Sequence, residues 1–165
     1  MRKITPEEIT LSPFSGISKG WSLICAGDRE KNNFMTASWG FMGHMWGKDC
    51  AIAAVRPQRY TIEFMEKQDT FSMCLMDGQC REEMNFCGSK SGRDFDKAAE
   101  TGLTVGFSGE TPYVEQAKFV LVCKKLYVDS LKKENFLDGS IPAAVYAADD
   151  YHKMFYGEIV EVLAR

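Results

Sequence analysis

The sequence is most informative from residue 33 to residue 61, which reads NFMTASWG (33–40), FMGHMWGKDC (41–50) and AIAAVRPQRYT (51–61). Its first part mixes small hydroxyl residues with apolar ones, which is typical of a strand that offers hydrogen-bond donors. Its last part places Arg56 and Arg59 on a proline turn that leads into a helical pattern. A strand, a turn and a helix start bring cationic side chains and free backbone N–H groups together, and proteins hold phosphates in this way. We therefore expect a phosphate-bearing ligand.

Length and composition limit the classes of protein that this chain can belong to. With 165 residues it is long enough to bury a core, and we expect residues 1–165 to form one domain. The net charge of −3 provides no basic surface for nucleic acid or for an anionic membrane. The basic amino terminus has no apolar run behind it, which argues against a signal peptide, and the longest uncharged stretch, 32–47, is too short and too polar to span a bilayer.

The cysteines indicate the redox environment. None of them forms a Cys-x-x-Cys pair, and they lie mainly among apolar residues: Cys25, Cys50, Cys74, Cys80, Cys87 and Cys123. This pattern predicts reduced, buried thiols in a cytoplasmic protein. The spacing of Cys74, Cys80 and Cys87 does not suit zinc, so we expect no metal site.

Hydrophobic periodicity predicts a mainly β protein with short helices. The predicted strands are 21–26, 34–40, 50–55, 70–76, 114–128 and 151–162. The predicted helices are 62–67, 81–86 and a third that follows Asp94 and runs to Thr101, with Gly102 in the C-terminal stop position. Thr61 and Asp94 are the expected N-caps of the first and third helix. Residues 41–48 and 103–113 are predicted as loops, and 141–148 as either strand or helix. Strands and helices do not alternate, so an antiparallel barrel with helices at its edge is favoured over a doubly wound parallel sheet.

From the sequence alone, several candidate site residues have both a ligand-binding and a non-binding interpretation. Arg56 and Arg59 either hold the phosphate or remain solvated. Lys97, one helical turn after Asp94, either adds a third positive group or lies on an outer helix face in water. Asn33, together with Thr36 and Ser38, either bonds a planar heterocycle or only its strand neighbours.

Segment 41–48 and His152 also have a functional and a structural interpretation. The apolar segment 41–48, with Met42, His44, Met45 and Trp46, either covers a ligand or fills the core. His152 follows Asp149 and Asp150, and a lone histidine at a strand start is usually structural. The chain has neither Gly-x-Gly-x-x-Gly nor a Walker pattern, so a dinucleotide would not be held in the Rossmann manner.

Four sequence blocks in this order resemble the flavin reductase-like family, and within it the flavoredoxin type. They are Asn33 to Trp39, Arg56 to Thr61, Ser91 to Asp94 with Lys97, and Asp150 to His152 leading to Gly157-Glu158-Ile159. Many relatives carry a Pro-Pro pair after the second strand, where this chain has residues 47–50, and that departure fits the flavoredoxin type. The resemblance implies an antiparallel, Greek-key-like split β-barrel that binds FMN, usually as a homodimer with the flavin near the interface.

The resemblance also implies roles for individual residues. Thr36, Ala37, Ser38 and Trp39 would line the flavin ring and ribityl chain, and Arg56, Arg59, Tyr60 and Thr61 would hold the phosphate with Lys97 near it. Asn33, Met35, Pro57, Ser91 and Gly92 complete the expected cofactor-binding set. His152, the one catalytic candidate, would lie near the ring face where a nicotinamide stacks.

The implied function is redox chemistry on FMN. In the enzyme form, NADH or NADPH delivers hydride to the flavin N5, and the flavin carries the organic chemistry. The alternative is an electron carrier that keeps FMN bound and exchanges electrons with a protein partner without using NAD(P)H. A third alternative is a flavin-binding protein with no redox partner.

Overall fold

A computed structural model describes all residues from 1 to 165. Its strands are β1 (Arg2–Ile4), β2 (Ser22–Gly27), β3 (Asn32–Ala37), β4 (Gly40–Met45), β5 (Lys48–Val55), β6 (Thr70–Leu75), β7 (Val105–Ser108), β8 (Thr111–Val114), β9 (Phe119–Ser130) and β10 (Lys153–Ala164). Its helices are α1 (Pro13–Ser18), α2 (Thr61–Lys67), α3 (Arg81–Ser89), α4 (Lys97–Thr101) and α5 (Ser140–Val145), with 3-10 turns at Pro6–Glu8 and Lys133–Asn135. The prediction of a mainly β protein with short helices is confirmed. None of the helices combines the length and the apolar character that a membrane crossing requires.

One antiparallel sheet organises the chain. Its strands follow the order β3-β2-β6-β9-β10-β5-β4, and β1 pairs with the far end of β10. Strand β10 pairs with β9 along its length and with β5 through its first half, and its register shifts at Tyr156/Gly157 and Ile159/Glu161. Such irregularities bend a strand and let a sheet curl. A Cβ on Gly157 would lie 2.7 Å from Cβ of Cys123, so glycine is required for this close approach.

Both faces of the sheet are buried, because side chains of the inner strands alternate between two hydrophobic clusters. In β2, Ile24 and Ala26 belong to the larger cluster, whereas Leu23 and Cys25 belong to the smaller one. Helix α2 packs into the larger cluster, and helix α3 and strand β8 pack into the smaller one. The larger cluster also joins residues of β3 to residues of β5, so the curled sheet brings these two strands together.

The predicted loop at 41–48 is wrong, because this segment forms the β4–β5 hairpin. Met45 pairs with Lys48, and Trp46 and Gly47 form a two-residue turn with φ of 55° and 70°. Positive φ at both turn residues is typical of the tight turns that connect antiparallel strands. Strand β4 is an exposed edge strand, so its sequence does not show the apolar and polar alternation by which a strand is usually predicted.

The predicted loop at 103–113 is also wrong, because it contains the β7–β8 hairpin around Gly109 (φ 57°).

The third helix begins later than predicted. Its N-cap is Asp96, whose side chain accepts a hydrogen bond from the Ala99 N–H at 3.1 Å, and not Asp94. Thr61 is the first residue of α2 and not its N-cap. The open segment 141–148 contains helix α5.

Candidate functional site

Three adjoining cavities form a groove where β3 approaches β5. The polar cradle (about 120 Å³) lies between Asn33, Arg59, Tyr60, Thr61, Lys97 and residues 89–92. The central cavity (about 390 Å³) shares Met35, Gln58 and Arg59 with the cradle and extends along residues 36–39 to Arg56 and His152. The apolar cleft (about 610 Å³) shares Ser38, Trp39, Ala54 and His152 with the central cavity. Of the predicted site residues, only Pro57 lines none of the three.

The polar cradle is built around the carboxyl end of α3. Arg59 donates from Nη1 to the Gly88 carbonyl at 2.6 Å, and Lys97 donates from Nζ to the carbonyls of Phe34 at 2.8 Å and Cys87 at 2.9 Å. Cations are stabilised at the carboxyl end of a helix, because its last carbonyls carry partial negative charge. These contacts hold both cations in fixed positions beside the cradle.

Neither cation of the cradle has an acidic partner. None of the ion pairs in the chain includes Arg59 or Lys97. Lys97 is only 5% exposed, so its alternative interpretation as a solvated lysine is wrong. Burial lowers the pKa of Lys97 to about 8, and burial with the nearby Arg56 charge lowers the pKa of Arg59. Two buried or half-buried cations without a counter-ion form a site that favours an anion.

The backbone at Gly92, which passes close to Asn33, completes the cradle. A Cβ on Gly92 would lie 2.0 Å from Oδ1 of Asn33, so no other residue fits there without a shift. Asn33 in turn donates from Nδ2 to Oγ1 of Thr61 at 2.8 Å, which ties β3 to the start of α2. The guanidinium of Arg93 lies over the Tyr60 ring at 4.7 Å. The predicted cradle residues are therefore brought together from three separate parts of the chain.

Arg56 occupies a different position from Arg59. It lines the central cavity, forms an ion pair with Asp150, and donates from Nη2 to the Val145 carbonyl at 3.1 Å. Gln58 also donates to Asp150, at 2.7 Å, and these two contacts lower the pKa of the Asp150 carboxyl, with Gln58 as the larger cause. Because Asp150 already balances its charge, Arg56 attracts an added anion less strongly than Arg59 does.

Strand β3 and the residues after it form one wall of the central cavity. Thr36 donates from Oγ1 to the Met84 carbonyl at 2.5 Å and so anchors α3 to β3. Trp39 is 47% exposed, and its ring lies 4.9 Å from the imidazole of His152. The cavity thus changes from polar near Arg59 to aromatic near His152.

His152 is buried and neutral. It is 7% exposed, and burial, together with the positive charge of Arg56, lowers its pKa to about 4. Its Nδ1 lies 2.7 Å from the hydroxyl of Tyr146, which is 4% exposed and whose pKa is raised by burial. Sequence reasoning missed Tyr146 and Gln58. Tyr146 lies in the segment for which no periodicity was clear, whereas Gln58 lies within the Arg56 to Thr61 block but was not among the predicted site residues.

The comparisons with known proteins agree with this architecture. The family described as "Flavin reductase like domain" matches residues 14–165. A flavoredoxin from Methanosarcina acetivorans has 18% identity and a TM-score of 0.68, with 100% of this chain and 76% of that chain covered. An FMN-binding protein from Thermus thermophilus, solved with bound p-hydroxybenzaldehyde, has 20% identity and a TM-score of 0.68, covering 100% and 79%.

A third solved structure is an NADH:FAD oxidoreductase from Streptomyces globisporus C-1027 in complex with NAD and FAD fragments. It has 15% identity and a TM-score of 0.64, covering 88% of this chain and 74% of that chain. No curated protein matches the chain. Since the family match extends over nearly all of the sequence, this chain belongs to the flavin reductase-like family.

Proposed function

We propose that the chain binds FMN in the groove and uses it as an NAD(P)H-dependent oxidoreductase. The observation that carries this proposal is the pair Arg59 and Lys97, two cations without a counter-ion at one end of a groove whose other end is aromatic and neutral. FMN has the matching distribution of charge, with a phosphate at one end and a planar ring at the other.

The residues present fit a bound FMN. The phosphate would lie in the cradle against Arg59 and Lys97, and each charge-assisted hydrogen bond there contributes roughly 1.5–3 kcal/mol. The ring would lie in the central cavity beside β3, with the hydroxyl of Ser38 and the Trp39–His152 pair along it. When bound, FMN supplies the hydride chemistry. The chain supplies the phosphate site, the orientation of the ring and a wall that excludes water.

His152 keeps one protonation state throughout the neutral pH range, because its pKa lies at about 4. It therefore has no charge with which to repel or attract a ligand near pH 7. Its position beside Trp39, at the junction of the central cavity and the apolar cleft, is where a nicotinamide would approach the ring. We propose that it orients the nicotinamide and does not exchange a proton in the rate-limiting step.

Anaerobic mixing of the FMN-loaded protein with NADH, and separately with NADPH, tests the enzyme function. We expect the flavin absorbance to be lost at a rate that saturates with the nicotinamide concentration. The same experiment with free FMN is the control for reduction off the protein. If FMN binds tightly and neither nucleotide reduces it faster than free FMN, the oxidoreductase proposal fails and the electron carrier takes its place.

The electron carrier is supported by a specific feature of the surface. Trp46 and Tyr127, which are both exposed, form an aromatic cluster with the partly buried Tyr156, and the ring centroids in this cluster lie 5.4–6.3 Å apart. Exposed apolar patches of this kind mark sites of protein contact. The similarity of fold to flavoredoxins supports the same alternative.

We propose that a second copy of the chain covers the exposed edge strand β4. Strand β4 is an edge strand, and Phe41 is 61% and Trp46 is 53% exposed. Unpaired edges and exposed aromatic side chains favour association. Light scattering should give twice the chain mass of 18.6 kDa, and a monomer at micromolar concentration would reject the homodimer.

All six cysteines are free thiols, which supports the cytoplasm as the proposed location.

A further inference from the structure

The two arginines of the groove differ in how their charges are balanced. Arg56 forms an ion pair with Asp150, whereas none of the ion pairs in the chain includes Arg59. Burial lowers the pKa of Arg59, and the positive charge of Arg56 lowers it further, so the two guanidinium groups are close enough to repel each other. Without Asp150, the groove would therefore contain a second unbalanced arginine and a second place for an anion to bind.

Asp150 acts on the central cavity without lining it. Arg56 and Gln58 do line the cavity, and both donate a hydrogen bond to the same oxygen of the Asp150 carboxylate, Oδ2. The Asp150 side chain is only 16% exposed, so water screens its attraction to Arg56 only in part. The carboxylate thus cancels the charge of Arg56 without occupying the space in which a ligand would lie.

Arg56 would be able to bind an anion if Asp150 did not balance it. Its guanidinium has five N–H groups, and the contacts with Asp150 and with the Val145 carbonyl use two of them. Its side chain is 27% exposed and lines the cavity. His152, which also lines the cavity, adds no positive charge near pH 7, because burial lowers its pKa to about 4. The Asp150 carboxylate therefore decides whether this part of the cavity attracts an anion.

We propose that Asp150 determines specificity in the groove: by balancing Arg56, it prevents a phosphate group from binding in the central cavity. A ligand with one phosphate then binds in one direction only, with its phosphate at Arg59 and Lys97 and its ring beside Trp39. A phosphate at Arg56 would occupy the space that the ring needs. The direction of ligand binding rests on the proposed function, whereas the exclusion of anions from the cavity is independent of flavin.

Asp150→Asn removes the charge and keeps the hydrogen bonds. Both bonds end on one carboxylate oxygen, so the single amide oxygen of asparagine can accept both of them. Asp149→Asn is the matched control, because Asp149 is the adjacent residue and its ion pair with Lys133 is at the surface, with both side chains 70% exposed. The double variant Arg56→Gln, Asp150→Asn removes both charges and tests whether the new anion site is at Arg56.

Inorganic phosphate is the probe, added at constant ionic strength to the flavin-free protein and followed by NMR. The amide signal of Gly92 reports the polar cradle, and the indole N–H signal of Trp39 reports the central cavity. We expect phosphate to shift Gly92 in all four proteins and Trp39 only in Asp150→Asn, whose cavity should bind phosphate at least about tenfold more tightly than the wild type. Trp21 and Trp46 line neither space and should not shift, and their signals show whether a substitution disturbs the fold.

A Trp39 shift in the wild type would overturn the proposal, and this measurement does not depend on the folding of any variant. An unshifted Trp39 signal in Asp150→Asn would also overturn it, as would a shift that persists when Arg56 is replaced as well.

Riboflavin binding, measured in parallel by flavin fluorescence, reports the proposed function separately. Phosphate should weaken riboflavin binding in Asp150→Asn and leave it unchanged in the wild type, because only in the variant do the two ligands compete for the cavity. If riboflavin and FMN fail to bind while phosphate still shifts Trp39 in Asp150→Asn alone, the proposed function is rejected and this inference is kept. If both flavins bind and phosphate leaves Trp39 unshifted in Asp150→Asn, the flavin site is kept and this inference is rejected.

Discussion

Raising the pH should weaken the binding of FMN through Lys97. Its pKa is about 8 in the free protein, because burial disfavours the charged ammonium. The phosphate of FMN carries nearly two negative charges above pH 7, and an adjacent dianion raises the pKa of a lysine. FMN binding therefore takes up a proton when the pH exceeds 8, and affinity must fall as the pH rises.

The size of this effect follows from the fraction of Lys97 that is protonated. At pH 7 roughly nine-tenths of the free protein has the charged lysine, and at pH 9 only about a tenth. If Lys97 remains charged in the complex, the dissociation constant for FMN rises about tenfold between these values, or about 1.4 kcal/mol. Titration of the protein with FMN at pH 7, 8 and 9, followed by flavin fluorescence, measures the change.

Two controls isolate the contribution of Lys97 to this pH dependence. Riboflavin lacks the phosphate and should bind with little dependence on pH over the same range. In Lys97→Met the FMN affinity should be lower and independent of pH. An equal slope for FMN and riboflavin, or a slope that persists in Lys97→Met, would refute the assignment of Lys97 to the phosphate site.

Three further predictions follow from single contacts. Gly92→Ala should lower FMN affinity at least about tenfold, because its Cβ would lie 2.0 Å from Asn33 Oδ1, whereas Gly43→Ala, with nothing within 4 Å, should leave it unchanged. The wild type should lose up to about 3 kcal/mol of unfolding free energy between pH 6.5 and pH 4, because the pKa of His152 is about 4 in the folded state and 6.5 in the unfolded state, so that only the unfolded state binds its proton in this range. Urea melts of the wild type and of His152→Phe measure this loss, and an identical pH dependence in both proteins would contradict it. His152→Ala should slow flavin reduction by weakening NAD(P)H binding with FMN affinity nearly unchanged, and stopped-flow kinetics that match the wild type would remove His152 from the nicotinamide site.

The sequence predicted the strands that are marked by a continuous run of apolar residues. The apolar runs of β2, β6 and the first part of β9 (119–123) marked strands because these segments are buried on both faces. The β4–β5 hairpin was missed because β4 is exposed, and the β7–β8 hairpin because its strands span four residues each and contain glycine and proline. Exposure and short length both remove the periodicity on which such a prediction depends.

The site was predicted less completely, because its chemistry depends on contacts between distant parts of the chain. The sequence identified Arg56 and Arg59 as a pair, but only the fold shows that Asp150, 94 residues from Arg56, balances one of them and leaves the other free. The burial of Lys97 depends on α4 packing against β3 and α3, which no local pattern reports. Two statements remain predictions: that residues 1–165 form one domain, and that two copies of the chain form a homodimer.

Comparing the affinities for FMN and riboflavin in wild type, Arg59→Ala and Arg81→Ala tests whether Arg59 forms part of a phosphate site. Arg81 is the matched control, since it also donates to a backbone carbonyl, that of Lys19, but lies outside the groove. We expect the wild type to prefer FMN and Arg59→Ala to lose about 2 kcal/mol of binding free energy, or roughly thirtyfold in affinity, for FMN alone. Arg81→Ala should match the wild type for both ligands. Equal affinity of the wild type for FMN and riboflavin would contradict a phosphate site at Arg59.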